Sequence, residues 1–204
     1  MSTPAAPLQS AATLAPEEAA RADLYALLAR LFCSPPDEAL LRSLADAGPI
    51  DAEEGGLATA WGALRAAAAS ASPTQAREEY DGLFIGTGKA PVTLYTCAYS
   101  IRYASEAPLA QLRGELAALG LARRTEASEP EDHIGALCET MRYLIVERYI
   151  GLAEQKKFFE RWIWPTAPAL CSAIQAAEGA RFYKGAAQLL SDLCTLEHTA
   201  FEML

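Results

Sequence analysis

Apolar residues return every three or four positions along almost the entire chain, and proline or glycine interrupts them at intervals of a helix length; no other feature restricts the fold as much. From Pro16 to Phe32 the repeat is carried by Ala20, Leu24, Leu27, Leu28 and Leu31, with Pro16 in a favourable first-turn position and Glu17 and Glu18 against the positive end of the helix dipole. Pro35 and Pro36 end that helix, and Gly48 closes a short second one. Leu57, Ala60, Trp61 and Leu64 mark a third, running to about Ala71, and "TQAREEYDGLF" after Pro73 a fourth. A fifth opens at Ser105 and Pro108 and is capped at Gly120. A sixth carries Ile134, Leu137, Cys138, Met141, Leu144, Ile145 and Tyr149. A seventh runs from about Ala153 to Trp164, an eighth from about Ala167 to Ala177, and a last from about Ala180 to the carboxyl end. The pattern predicts an all-α, non-repeating bundle of eight to nine helices, with residues 1–14 as a flexible leader and 15–204 as one helical domain.

A chain of 204 residues buries enough apolar surface for one domain without staples, and five widely spaced cysteines with no CxxC pair argue against a disulfide framework or a zinc knuckle. With 51% hydrophobic and 21% charged residues the chain is globular, and no uncharged run is long enough for a membrane span. A net charge of −9 opposes the basic footprint that nucleic acid requires. The first residues lack a basic start and a Leu-rich block, so a cytoplasmic location is expected.

Two stretches stand apart. "GTGKAPVTLYTCAYSIRYAS", Gly86 to Ser105, holds two glycines, a proline and β-branched or aromatic residues, and is the one long irregular segment. It is not a P-loop, because Leu83 and Ala90 stand where glycine and Ser or Thr are needed; backbone amides from Gly86 to Gly88 could cradle an anion. "EPEDHIGALCETM", Glu129 to Met141, gathers three carboxylates and His133 before turning apolar. Helix-start chemistry accounts for the acids: Pro130 suits a first turn, Glu129, Glu131 and Asp132 complement the dipole, and Ser128 stands in capping-box spacing to Glu131. It leaves His133 unexplained. Glu131 and His133 are two apart and cannot chelate one ion from consecutive helical turns, and no nucleophile signature accompanies them.

"EPEDHIGALCETMRYL" resembles the E-P-x-D-H signature of the TorD/DmsD family of redox-enzyme maturation chaperones, and "YDGLFIGTGKAPVTLYTCAY" resembles that family's second signature, in the right order. "FFERWIWPTAPALCSAI" followed by "FYKGAAQLLSDL" is similar to its carboxyl-terminal helix pair. The departures are Thr87 and Leu94 where proline is common, Thr96-Cys97 where Glu-Ser or Gly-Ser is usual, Trp162 at a histidine position and Thr166 at a tryptophan position. The resemblance implies a TorD-like cytoplasmic chaperone, not an enzyme. Such a chaperone binds the twin-arginine leader or the apo form of a molybdenum-cofactor oxidoreductase, aiding cofactor insertion and proofreading before export.

A leader with an Arg pair and an apolar stretch needs carboxylates beside an apolar groove, which Glu131, Asp132, Tyr95 and Tyr99 would supply if the loop packs across the start of the Pro130 helix, with His133 tying the two together. The resemblance implies no resident cofactor and no metal; weak GTP binding at Gly86, Gly88 and Lys89 is the one small ligand it leaves open. The partners expected are the oxidoreductase subunit and its leader, without nucleic acid or membrane insertion, and with room for a homodimer through exchanged elements. Two alternatives stand beside this reading: a nitrate-reductase-type assembly chaperone for a client that is not exported, and a small helical enzyme using His133 and Asp132 as an acid/base pair.

Overall fold

The computed structural model describes residues 14–50, 55–86, 90–99, 108–122, 129–146 and 150–204. Residues 1–13 of the expected leader lie outside them, as do Ser105, Ser128 and Tyr149, which carried expected helix boundaries, and Gly88 and Lys89 of the glycine loop. Among the described residues the chain forms nine α-helices and no strand: α1 Pro16–Cys33, α2 Glu38–Asp46, α3 Gly56–Ser70, α4 Pro73–Tyr80, α5 Pro108–Ala118, α6 Ile134–Val146, α7 Leu152–Trp162, α8 Ala167–Ala176 and α9 Phe182–Glu202. It is the all-α, non-repeating bundle that the periodicity requires. No described helix is long and apolar enough to cross a membrane.

Capping chemistry sets several of the boundaries. Pro16 and Pro73 sit in the first turns of α1 and α4; the Asp37 carboxylate accepts from Leu40 N–H at 2.7 Å; Ser72 and Gln75 form a reciprocal capping box. The start of α9 is capped from a distant element, since the Glu79 carboxylate accepts from the backbone N–H groups of Arg181, Phe182 and Tyr183 at 2.8, 3.1 and 2.8 Å. Pro165, which has no N–H, stands in the turn that separates α7 at Trp162 from α8 at Ala167.

The core lies where α1, α6 and α9 meet, with Leu28, Leu31, Phe32, Ile134, Leu137, Met141, Leu189, Leu190 and Leu193 fully buried. Two glycines allow helices to approach closely. A Cβ at Gly135 of α6 would stand 2.5 Å from Cys33 Sγ and 3.1 Å from the Ala29 carbonyl of α1, and one at Gly185 of α9 would stand 3.1 Å from Leu64 Cα of α3. The last carbonyls of α1, which have no partner within their own helix, are taken up by two tyrosines: Tyr183 donates to Leu31 O and Tyr80 to Phe32 O, each at 3.0 Å. With Phe32 and Phe84 these rings form an aromatic cluster, including Phe84 edge-on to Tyr183 at 4.9 Å. α1 and α9 are further joined by Arg21, whose guanidinium meets Glu197 at 2.6 and 2.7 Å, while Tyr25 donates to the same carboxylate at 3.2 Å. The five cysteines are free, and Cys138, Cys171 and Cys194 are buried.

Two boundaries depart from the sequence expectation. The fourth helix does not continue as an α-helix through Phe84; Asp81–Ile85 is a π-helical turn, closed by Gly86 N–H to Asp81 O at 2.7 Å, with Gly86 itself at φ 61°. The helix of the acidic motif begins at Ile134 rather than at Pro130. Pro130, Glu131 and Asp132 therefore precede the first turn instead of filling it, because His133 is drawn into an antiparallel bridge with Tyr95 that a helical backbone could not make.

Candidate functional site

The segment 90–99 is fastened to the bundle on two sides. Val92 N–H donates to Leu83 O in the π-turn at 3.0 Å, while Ile134 N–H donates to Leu94 O at 2.8 Å and Thr96 N–H to Asp132 O at 2.9 Å. The last two bonds flank the Tyr95–His133 bridge, so the loop lies across the start of α6 in fixed register. Val92 and Leu94 are buried beneath it, and a 3₁₀ turn at Thr96–Tyr99 redirects the chain. The Tyr99 hydroxyl closes the segment on itself through Thr93 O at 2.9 Å.

His133 supplies the N-cap of α6. Leu137 N–H donates to its carbonyl at 3.0 Å, and its side-chain Nδ1 accepts from Gly135 N–H at 3.1 Å. An accepting Nδ1 must be unprotonated, and burial acts in the same direction by pushing the imidazole below its usual pKa, against the opposing pull of Glu129 and Asp132. Only 3% of His133 is exposed, and the Tyr95 ring stands edge-on to it at 5.8 Å. The histidine thus does join loop to helix, as cap, bridge partner and ring contact.

The three acids of the motif go to three different partners. Glu129 accepts from the Tyr95 hydroxyl at 2.5 Å, and this bond, with partial burial and the nearby carboxylates, holds the phenol up to about 12. Glu131 accepts from Arg113 of α5, whose Nε is 3.0 Å from both carboxylate oxygens. Asp132 is 5% exposed, yet among the described residues no cation lies within ion-pair distance of it. Its Oδ2 accepts from Cys97 N–H at 3.3 Å, while its carbonyl accepts from Thr96 N–H and from Thr96 Oγ1 at 3.0 Å. Burial, then the Asp132 charge and a thiol–carboxylate interaction, raise the Cys97 thiol to about 12, so it is no thiolate nucleophile.

The structure thus brings Tyr95, Asp132 and His133 together, with Glu131 turned toward α5 and Tyr99 bracing the loop from within. Tyr95 is 38% exposed and Ile85, at the end of the π-turn, 59%, so part of the rim is apolar and accessible. Gly86 terminates the π-turn, while Gly88 and Lys89, the other two residues considered for an anion, lie outside the described residues. Among the described residues no three His, Cys, Asp or Glu side chains converge in a way that could hold a metal ion. A separate groove of about 660 Å³, lined by Ala71, Ala76, Glu78, Leu83, Arg181 and Phe182 among others, contains none of the predicted site residues. Sequence reading alone did not single out Arg113, Thr96 or Gly135 as parts of the site. Their partners are distant in sequence or act through the backbone, and nothing in local spacing marks them.

The arrangement offers a desolvated carboxylate, an exposed aromatic ring and a rigid backbone platform, which is the chemistry of recognition. No curated protein matches the chain. The family described as nitrate reductase delta subunit matches residues 51–172, well over half of the 204, a span that includes the loop, the acidic motif and the helices between them. The chain therefore belongs to the nitrate reductase delta subunit family, whose TorD/DmsD-like members are redox-enzyme maturation proteins, assembly chaperones of molybdoenzymes.

Proposed function

We propose that the wall formed by the loop Leu94–Tyr99 and the turn Glu129–His133 receives the amino-terminal leader of a molybdenum-cofactor oxidoreductase, retaining the client in the cytoplasm until its cofactor is inserted. The observation that carries this reading is Asp132: a buried carboxylate to which the described residues supply the Cys97 N–H and thiol but no cation, next to a part-exposed tyrosine. A buried charge without a cation is unfavourable, and a guanidinium from a partner would correct that. In this reading Asp132 meets an arginine of the leader and Tyr95 covers the apolar residues that follow. Tyr99 and His133 keep the wall in place, and Glu131 exchanges Arg113 for the second arginine. The experiment is calorimetric titration of an Arg-Arg leader peptide into the wild type and the Asp132→Ala/His133→Ala double variant at fixed salt. Affinity should fall at least about tenfold in the folded variant; equal affinity removes the assignment.

The family match itself favours a second reading, in which the client is a nitrate-reductase-type subunit that is not exported and whose amino terminus carries no Arg pair. The same wall would then receive an amino-terminal segment with isolated basic residues. Capture of the chain's client from its own cell, with sequencing of the client's amino terminus, separates the two. Weak GTP binding at Gly86, Gly88 and Lys89 is a lesser proposal, tested by titrating the nucleotide against a Lys89→Ala variant.

A further inference from the structure

Thr96 and Cys97 are two of the positions at which the loop departs from the family pattern, and their contacts converge on one residue. Thr96, 2% exposed, gives two donors to the Asp132 carbonyl, its N–H at 2.9 Å and its Oγ1 at 3.0 Å; Cys97 gives its N–H to Asp132 Oδ2 at 3.3 Å. Main chain and side chain of Asp132 are therefore held by consecutive residues of the facing segment. On the other side, Ile134 N–H is tied to Leu94 O and His133 caps the helix, so Asp132 can shift only if the ladder breaks.

We propose that Thr96 and Cys97 are positioning residues that hold the Asp132 carboxylate in one plane and thereby make the leader site select guanidinium over ammonium. This rests on the reading of Asp132 as the leader's arginine acceptor. A guanidinium binds a carboxylate through two parallel N–H bonds and needs both oxygens in a fixed plane, whereas an ammonium is a point donor that tolerates rotation. Fixing the carboxylate in advance favours the planar partner and gives the rotating one nothing. The Cys97 thiol, held protonated beside the same carboxylate, adds a weak donor to it.

The test compares an Arg-Arg peptide bearing a following apolar stretch with its Lys-Lys counterpart, titrated into wild type, Thr96→Val, Thr96→Ser, Cys97→Ala, Cys97→Ser and Asp132→Asn, each checked for folding by circular dichroism. Wild type should prefer Arg-Arg by about tenfold; Thr96→Val, which loses the Oγ1 bond to the Asp132 carbonyl, should reduce that preference to about two- to threefold and Thr96→Ser should retain it, while Cys97→Ala and Cys97→Ser, which keep the N–H that Asp132 Oδ2 accepts, should change it by less than about twofold. A second readout requires no peptide: the iodoacetamide alkylation rate of Cys97, resolved from that of Cys33 by mass spectrometry. It should be slow in wild type, where burial first and the Asp132 charge second keep the thiol protonated, and should rise in Asp132→Asn, where the second of these is gone. An unchanged Arg-to-Lys ratio in Thr96→Val, with Asp132→Asn weakened, overturns the positioning role and leaves the leader site standing. Equal Arg-Arg affinity in Asp132→Asn and wild type overturns the leader site and the positioning role with it. An alkylation rate that ignores Asp132→Asn contradicts the coupling of Cys97 to that carboxylate.

Discussion

Two carboxylates are buried almost equally, Glu197 at 3% exposed and Asp132 at 5%, and the protein treats them in opposite ways. Glu197 on α9 receives both arms of Arg21 from α1, at 2.6 and 2.7 Å, and a hydroxyl from Tyr25. Its charge is neutralised inside the chain and serves to hold two helices together. Asp132 receives one backbone N–H at 3.3 Å on its side chain and, among the described residues, no cation. A buried acid with an internal cation serves the architecture; one with no cation among the described residues, near a part-exposed tyrosine, is what the proposed leader site requires. The arginine that could have served Asp132, Arg113, is paired with neighbouring Glu131 instead.

The contrast can be broken by substitution. Glu197→Ala removes the carboxylate that takes both arms of the part-buried Arg21, leaving it only Glu18 of its own helix, and should cost about 2–3 kcal/mol in urea unfolding, while peptide affinity of the folded protein stays the same. If Asp132→Asn costs as much stability as Glu197→Ala, the distinction between the two acids fails. The platform beneath Asp132 depends on Gly135, where a methyl group would press on Cys33 Sγ and Ala29 O. Gly135→Ala should destabilise by about 1–3 kcal/mol, and adding Cys33→Ala should recover only part of that, because the Ala29 carbonyl remains in the way. Full recovery would show that the sulfur alone limits the approach of α6 to α1.

For Asp132→Asn the account expects a stability change within about 1 kcal/mol but a loss of about tenfold in Arg-Arg peptide affinity, the reverse of the Glu197 result. The smallest effect concerns acid. His133 is held below its ordinary pKa by burial, so its neutral form favours the folded state. That contribution is complete above the unfolded value near 6.5 and is lost as pH falls through the lowered folded value. Unfolding midpoints measured from pH 7.5 downward should therefore decline on the acid side. His133→Asn, which keeps a capping acceptor and has no proton to gain, should flatten that decline at a stability change of about 1 kcal/mol. An unaltered acid slope in the variant would assign the sensitivity to other groups.

The helices were legible because each carries its own period and its own punctuation. Pro16, the Pro35-Pro36 pair, Pro73, Pro108 and Pro165 stand at or beside helix ends, and none interrupts a helix interior. The start of α6 was not legible. Three acids and a proline suit a first helical turn, and only a partner 38 positions away, Tyr95 for His133, leaves that stretch as a turn ahead of the helix. The π-turn at Asp81–Ile85 escaped for a similar reason, since "DGLFI" has no local feature that separates i+5 from i+4 bonding, and its register is tied to the loop through Leu83 O. The site was legible as a collection of residues: loop and motif do lie together. Its division of labour was not, because the sequence shows Glu129, Glu131 and Asp132 as equals. Their separation into a tyrosine acceptor, an internal ion pair and an acid met only by Cys97 among the described side chains depends on Tyr95, Arg113 and Cys97, each brought in by tertiary packing.

The central claim is that Asp132, which has no cation beside it among the described residues, pairs with an arginine of the client. The most direct measurement is a double-mutant cycle by calorimetry: wild type and Asp132→Asn, each titrated with the Arg-Arg peptide and with peptides in which either arginine is replaced by glutamine. The account predicts a coupling of at least about 1.5 kcal/mol between Asp132 and one of the two arginines. Additive losses, with no coupling to either arginine, would contradict it.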